Sequence, residues 1–501
     1  MNFLKRAEQI LCVGVVLIVG LAGTVGEAQT QKKTSQSNAA PAKPTPPPAK
    51  AAPARGNDTG GGRPPVGKTA TQPPTTQNHP LTQHPIDPVG KPTASSSPLK
   101  YEPSSPNVTA KQLPGGHTEY HDAASNRIVT TNSRGDVTRI ESRGLAGTTA
   151  ISRGPRGERT VVAGRPGARV VSYGAHRGFV ERTVRPGYIS RTYVGGGRSY
   201  AHVFREYSYH GVSYYRYVPG FYYGPRFYAW ALSPWGVPVR YALWSGFLAP
   251  PWVGFYAGYF APYPTYASPD LWLTDYVIGQ NLSLAYDSQQ AGNPDPSAPA
   301  PAAQQQQADP QLSPAMKALI ADEVRQQLAA EKAAAAEPTP TSTQQTPPEA
   351  EPPALNQKFF VVSSSLEVTT IPNKTDKPAV AQTACSLTPG DVIQRITKQV
   401  VDGGVTVEVE SSKPGDCARD SNATVQLADL QEMHNQFREQ IDSGLKTLAE
   451  NQAKGLPTAP ASGERPVQEG TALPAPDAET QLVAQETAGT NLEAQVRQGG
   501  S

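Results

Sequence analysis

The chain has 501 residues, and its 51 Pro and 45 Gly make up roughly a fifth of it, against about 12% in an average protein. Charged residues account for 17%, hydrophobic residues for 37%, and the net charge is +3. Such a composition buries too little apolar surface to offset the entropy of ordering the whole chain. These values exclude one large compact enzyme, and Gly lacks the period of three that collagen requires.

The N-terminus has the three parts of a secretory signal. Lys5 and Arg6 supply the positive end, residues 10–21 are apolar, and residues 26–28 place small side chains where a signal peptidase needs them. We expect residues 1–28 to be removed and the protein to be exported to the periplasm, the cell envelope or the medium. The alternative is an uncleaved N-terminal anchor.

Removal of the signal leaves two cysteines, Cys385 and Cys417. In an exported chain a single pair of cysteines indicates a disulfide. Closing a loop of this size is worth about 3 kcal/mol in the chain-entropy model.

Three segments are expected to be mostly disordered. Residues 29–115 form a Pro-rich linker, residues 288–357 form a Pro-, Gln- and Ala-rich linker, and residues 454–501 form a tail. Within the second linker, the pattern of apolar residues predicts a helix over 314–336, started by Ser313-Pro314 and ended before Pro338.

Residues 118–287 are predicted to form a β-hairpin domain. Short β-prone runs are separated by turn glycines at positions 135, 157, 178, 196 and 211, which predicts an antiparallel repeat or meander. Ser268-Pro269 then starts a helix that is expected to end near Tyr286 and to close the domain.

Aromatic residues concentrate at the end of this domain. Sixteen of the 21 Tyr lie between Tyr200 and Tyr286, and all five Trp lie between Trp230 and Trp272. Three interpretations stay open, because Tyr and Trp are half polar: an aromatic core, an interfacial membrane patch, or a carbohydrate-stacking surface. We favour the core. Pro and Gly in the uncharged stretch exclude a transmembrane helix there.

Residues 121–240 carry 18 Arg and no Lys against six acidic residues. Arg interleaved with Tyr suits contact with an anionic polymer, such as an acidic polysaccharide or lipopolysaccharide phosphate. The alternative is that Arg merely covers the solvent side of the strands. Export makes nucleic acid an unexpected partner. The candidate contact residues are Arg139, Arg159, Arg169, Arg182, Arg191 and Arg205.

Residues 358–453 are predicted to form a small β domain with five strands, followed by a helix over 429–449 that begins with a capping box of Asp429 and Glu432. The phrase from Leu387 to Ile393, Leu-Thr-Pro-Gly-Asp-Val-Ile, resembles the turn and strand of SH3-like barrels and, less closely, of PDZ-like domains. The resemblance implies a small barrel. The helix has a broad apolar stripe that is expected to bury against the barrel or a second copy.

No catalytic constellation, cofactor motif or metal-ligand set is visible in the sequence, so we expect no cofactor and no enzymatic activity. The chain as a whole resembles Tyr-, Pro- and Gly-rich exported proteins of bacteria, which implies a location but no activity. The first hypothesis is a non-enzymatic envelope or matrix protein with a structural, adhesive or polymer-contacting role. The alternative is a binding module, in which the SH3-like domain recognises a peptide or a cell-wall fragment and the rest is a tether.

Overall fold

The computed structural model describes most of the chain from residue 99 onward, and all of these residues belong to one compact unit. The predicted signal 1–28 and most of the linker 29–115 lie outside them. The described ranges are 99–103, 107–113, 116–144, 147–154, 157–165, 167–174, 176–195, 197–240, 250–292, 312–336, 348–371, 383–451 and 456–499.

The first third of the described chain is an eleven-stranded antiparallel sheet in which each strand pairs with the next. This confirms the predicted antiparallel meander. Turn residues Gly135, Gly157 and Gly211 have positive φ, which glycine adopts at no steric cost. The strands are β1 (Val108–Leu113), β2 (His117–Asp122), β3 (Arg127–Thr131), β4 (Val137–Gly144), β5 (Gly147–Arg153), β6 (Arg159–Arg165), β7 (Ala168–Gly174), β8 (Arg177–Arg185), β9 (Tyr188–Gly195), β10 (Arg198–Tyr209) and β11 (Val212–Val218).

The sheet begins earlier than the sequence suggested. Strand β1 and the buried residues Leu99 and Tyr101 fall inside the segment that was expected to be linker up to residue 115. Leu99 and Tyr101 pack in one cluster with Val129 and Ile140 of the sheet. The end of this segment is therefore part of the fold, held by the burial of these two apolar side chains and by the pairing of β1 with β2.

Helices follow the sheet in the chain, and several of them pack on it. Their bounds are α1 (Pro225–Ala231), α2 (Pro251–Phe255), α3 (Pro269–Gly292), α4 (Pro314–Ala336), α5 (Leu427–Glu450) and α6 (Ala478–Gly499). A two-stranded pair, β12 (Phe221–Tyr222) with β19 (Arg465–Pro466), joins the middle of the chain to its C-terminal part. Helices α3, α4 and α5 occur where the sequence predicted helices. None of the helices in the described ranges is long and apolar enough to span a membrane.

The sheet is covered on both faces. On β9, Arg191 forms an ion pair with Glu432 of α5, whereas the next residue, Thr192, accepts a hydrogen bond from the backbone N–H of Ala475, just before α6. Successive side chains of a strand point to opposite faces. Helix α5 therefore lies on one face and α6 on the other.

The C-terminal segment differs from the expected disordered tail 454–501. Helix α6 buries Leu482 against Val180 and Val194, and buries Leu492 and Val496 against the first strands. The segment is polar in composition, so its few apolar residues do not by themselves predict an ordered helix. They are buried because they pack on a face of the sheet.

A second sheet has six strands in the order β13-β16-β17-β18-β14-β15. All five predicted strands are present, and β15 is an addition. The sheet has an edge strand at each end of this order, so a closed SH3-like barrel is not shown. The strands are β13 (Phe359–Val361), β14 (Leu366–Ile371), β15 (Ala384–Leu387), β16 (Val392–Arg395), β17 (Gly404–Ser411) and β18 (Asn422–Gln426).

The predicted disulfide is confirmed, with the Sγ atoms of Cys385 and Cys417 2.07 Å apart. The predicted capping box is wrong. Helix α5 begins at Leu427, its cap residue is Gln426 without a side-chain cap bond, and Glu432 instead binds Arg191.

The two expected domains, 118–287 and 358–453, share a core. One hydrophobic cluster contains Trp272 and Ile278 of α3, Ile320 of α4, Val361 of β13 and Ile441 of α5. The apolar stripe of α5 is thus buried within its own chain. The aromatic residues between 223 and 272 form much of this cluster, in agreement with the core interpretation.

Candidate functional site

A cleft of about 960 Å³ lies between strands β7 to β11 of the large sheet and helices α3 and α5. The sheet supplies mainly aromatic side chains and α5 supplies mainly polar ones. These include Tyr173, Phe179, Tyr193, Tyr200, His202 and Tyr217 from the sheet, Tyr276 and Gln280 from α3, and Glu432, Gln436, Glu439, Gln440, Asp442, Ser443 and Lys446 from α5.

Three rings form a ladder across the floor of the cleft. Phe179 is the cross-strand partner of Tyr193, and Tyr193 is the partner of Tyr200. Opposite residues on antiparallel strands share a face, which brings the centroids of Tyr193 and Tyr200 to 5.2 Å with nearly parallel planes. Tyr200 is 50% exposed, so the ladder ends in an accessible aromatic ring.

The wall of the cleft presents carboxylates that are held in place by the floor. Oε2 of Glu439 lies 2.9 Å from Nδ1 of His202, and the hydroxyl of Tyr193 donates to Oε1 of Glu439 at 3.4 Å. The hydroxyl of Tyr217 donates to Oδ2 of Asp442 at 2.8 Å. These contacts fix the side chains of α5 against the sheet and position their oxygens at the cleft.

The pKa values of two acidic residues of the wall are shifted in opposite directions. Burial raises the pKa of Asp442 well above its usual range, and the neighbouring Glu331 raises it further. Burial would also raise the pKa of Glu432, but the ion pair with Arg191 outweighs burial and holds that pKa below its usual range. Burial and Glu331 thus favour the protonated form of Asp442, whereas Arg191 favours the ionised form of Glu432.

Two of the basic residues that line the cleft are also paired. Arg177 forms an ion pair with Asp287, and Lys446 Nζ lies 4.0 Å from Oε1 of Glu450. The pairs give this part of the cleft no large excess of either sign. An array of rings, amides, hydroxyls and balanced charges suits a ligand that carries many hydroxyl groups and little charge.

Two of the six candidate arginines are buried. Arg159 is 3% exposed and binds Glu486 and Glu493 of α6, whereas Arg191 is 1% exposed and binds Glu181 and Glu432. A buried, paired guanidinium is not available to a polymer. These two residues are structural, contrary to our expectation.

The other four candidates lie nearer the surface but are not gathered into one site. Arg169 is paired with Glu181, Arg182 with Asp477 and Arg139 with Glu141. The guanidinium of Arg205 lies over the rings of Tyr188 and Tyr207.

The sequence did not point to the cleft residues as a set. Tyr193, Tyr200 and His202 come from hairpins, and Glu439 and Asp442 come from a helix more than 200 residues later. The signal that was present is the mixture of Tyr with Arg in alternating strands. Among the described residues, no group of three His, Cys, Asp or Glu side chains is placed to hold a metal ion.

Comparisons with protein-family models, with curated proteins and with solved structures found no match, so the function must be argued from the site itself.

Proposed function

We propose that the protein is an exported binding protein whose cleft holds a segment of an uncharged, hydroxyl-rich glycan. The observation that carries this proposal is the stacked pair of Tyr193 and Tyr200, which faces the polar side of α5 across a cleft of about 960 Å³. The proposal narrows the polymer-contacting role expected from the sequence to one ligand class and one site.

The chemistry of sugars supports this choice. The C–H faces of a pyranose ring are apolar and pack on aromatic rings, whereas its edge carries hydroxyl groups that both donate and accept hydrogen bonds. Tyr200 offers an accessible ring. Gln436, Gln440 and Ser443 line the opposite side with groups that can donate and accept.

The charges favour a neutral over an anionic polymer. The acidic side chains of Glu432, Glu439, Asp442 and Glu450 line the cleft together with the basic ones of Arg177, Arg198 and Lys446, so the cleft offers a polyanion no excess of positive charge. Among the six arginines expected to contact a polyanion, Arg159 and Arg191 are buried. Electrostatic complementarity to a polyanion is therefore weaker here than the Arg content of the sequence suggests.

The experiment measures binding of soluble oligosaccharides to the full chain by calorimetry. Short cello-, xylo-, malto- and chito-oligosaccharides serve as neutral probes, and oligogalacturonate serves as the anionic probe. We expect at least one neutral probe to bind and Tyr200→Ala to weaken it by about tenfold, the loss of one stacking contact of roughly 1.4 kcal/mol.

The matched control is Tyr207→Ala. Tyr207 also stacks on a cross-strand tyrosine, Tyr214, with centroids 5.8 Å apart, but it does not line the cleft. Its replacement should leave binding unchanged. Binding of the anionic probe alone, or equal loss in both variants, would contradict the proposal.

A further inference from the structure

A lysine and two aspartates lie together in a buried site beside strands β16 and β17 of the second sheet. Nζ of Lys413 contacts Oδ1 of Asp391 and lies 3.5 Å from Oδ2 of Asp416. The exposed fractions of the three side chains are 1%, 0% and 0%. One cation and two carboxyl groups thus share a site without access to water.

The backbone holds these groups rigidly. Asp391 immediately precedes β16 and Lys413 follows β17, two paired strands whose partners include Val392 and Ser411. Oδ1 of Asp391 also accepts a hydrogen bond from the backbone N–H of Lys413 at 3.0 Å. The hydroxyl of Tyr259 donates to the carbonyl of Gly390 at 2.9 Å, and its ring centroid lies 5.4 Å from Nζ of Lys413, so an aromatic side chain covers the site.

An ordinary buried ion pair needs one carboxylate for one ammonium. A second carboxylate adds a charge whose desolvation costs several kcal/mol. The chain holds a comparison in α3 and α4, where Lys317 Nζ lies 2.7 Å from Oδ1 of Asp275, both buried. Among the described residues, the ion pairs of Lys317 include no second carboxylate. A salt bridge between Lys413 and Asp391 therefore does not explain why a second carboxyl group, that of Asp416, is buried beside this lysine.

We propose that Lys413 and Asp391 condense to an isopeptide bond, with Asp416 as the acid–base group that transfers the protons. Asp416 takes a proton from the ammonium group, and the free amine of Lys413 attacks Cγ of Asp391. A C–N bond forms and one C–O bond breaks. Asp416 relays two protons from the nitrogen to the departing oxygen, which leaves as water. The ammonium and carboxylate become an amide and one water molecule, so no oxidant or other reactant is needed.

The surroundings of Asp391 suit this reaction. Oδ2 accepts the backbone N–H of Thr388 at 2.8 Å, a donor placed to stabilise the oxyanion that forms when the amine attacks. The hydroxyl of Thr388 donates to Oδ2 of Asp416 at 2.6 Å and so orients the second carboxyl group. Fixed contact between amine and carboxyl replaces an encounter in solution, which can contribute an effective concentration of about 10⁵ M or more.

The decisive experiment uses the purified full chain after complete reduction and alkylation. Trypsin separates Asp391 and Lys413 into the peptides 375–395 and 399–419. The disulfide of Cys385 and Cys417 also joins these two peptides, so it must be removed first. We expect the peptides to remain joined and to be lighter than their sum by one water, with fragmentation placing the branch at Asp391 and Lys413.

Two other results would overturn the proposal. Separate, unmodified peptides after reduction would exclude the bond. A loss of water that maps to Asp402-Gly403, a sequence that forms a cyclic imide, would also exclude it. This measurement needs no variant and therefore does not depend on whether a variant folds.

The role of Asp416 is tested by Asp416→Asn, which keeps the shape of the side chain but cannot carry the proton. The two peptides should then separate on reduction. The matched control is Asp420→Asn in the same loop, since the side chain of Asp420 is 76% exposed. Its peptides should stay joined. Joined peptides in Asp416→Asn would overturn the assignment of Asp416.

Discussion

The buried Arg191 of β9 and the partly exposed Glu432 of α5 form an ion pair that joins the large sheet to the helix covering one of its faces. Nε of the same guanidinium binds Oε1 of Glu181 at 2.8 Å, and its carbon lies 4.0 Å from the centroid of Phe204. The planar guanidinium thus uses its edge for two carboxylates and its face for an aromatic ring, which a lysine could not do.

Replacing Arg191 with Met should destabilise the protein by about 3 kcal/mol, because it leaves the buried Glu181 with only the ion pair to Arg169 and deprives the half-buried Glu432 of its guanidinium partner. The free energy of unfolding from urea denaturation checks this. The control is Arg139→Met, whose side chain is 46% exposed beside Glu141, with an expected change of about 0.5 kcal/mol or less. Equal losses in the free energy of unfolding for the two variants would show that the contacts of Arg191 stabilise the protein no more than those of an exposed arginine.

Helix α6 approaches the sheet closely at Gly489. A Cβ atom there would lie 2.7 Å from Nη2 of Arg159 and 2.9 Å from Cγ2 of Val161. Gly489→Leu should therefore push α6 away from the sheet and destabilise the protein by about 1–3 kcal/mol. Hydrogen exchange over 478–499 should rise in parallel, because the helix would be held less tightly.

The adjacent residue provides the control for this prediction. Ala488 is exposed on the other side of α6, so Ala488→Leu should change the free energy of unfolding by about 0.5 kcal/mol or less. If Gly489→Leu is tolerated equally well, with unchanged exchange over 478–499, then the close packing of α6 on the sheet is refuted.

The stability of the protein should depend on pH through His434. Burial, together with the nearby cations of Arg438 and Arg216, lowers the pKa of His434 to about 3. Below the unfolded pKa of about 6.5 the unfolded chain binds a proton that the folded chain does not. The contribution of His434 is therefore fully present above pH 6.5 and falls by about 1.4 kcal/mol per pH unit on acidification.

Measurement compares wild type with His434→Gln, because buried acids such as Asp442, with its raised pKa, act in the opposite direction in both proteins. The difference between the two free energies of unfolding should shrink from about pH 7 to about pH 5. A constant difference for His434→Gln would mean that this histidine protonates equally in both states.

Sequence patterns predicted correctly those helices and hairpins whose formation depends on residues close together in the chain. Pro314 and the apolar spacing to Leu328 predict α4, and turn glycines such as Gly135 predict the hairpins. Helix α6 was missed because its three buried leucine and valine side chains are widely spaced in a polar segment. Its helical order depends on a sheet face made some 300 residues earlier.

The cleft and the buried arginines were beyond the reach of the sequence for the same reason. Arg159 and Glu493 are 334 residues apart, and Arg191 and Glu432 are 241 apart. In the sequence of an alternating strand, an Arg that will face a carboxylate cannot be distinguished from an Arg that will face water. Only the order in which helices cover the sheet decides between these outcomes, and no local pattern encodes that order.

The two-sided covering of the sheet has a consequence for the way this chain is made. All eleven strands are complete at Val218, whereas α5 begins at Leu427 and α6 ends at Gly499. The segments that form the strands are therefore synthesised long before the helices that cover them, and in that interval apolar residues such as Val161 and Val180 lack their partners on α6. Contacts of this sequence separation form slowly. The nascent sheet is thus the stage at which this protein most needs a chaperone, or delayed folding, to avoid pairing with its neighbours.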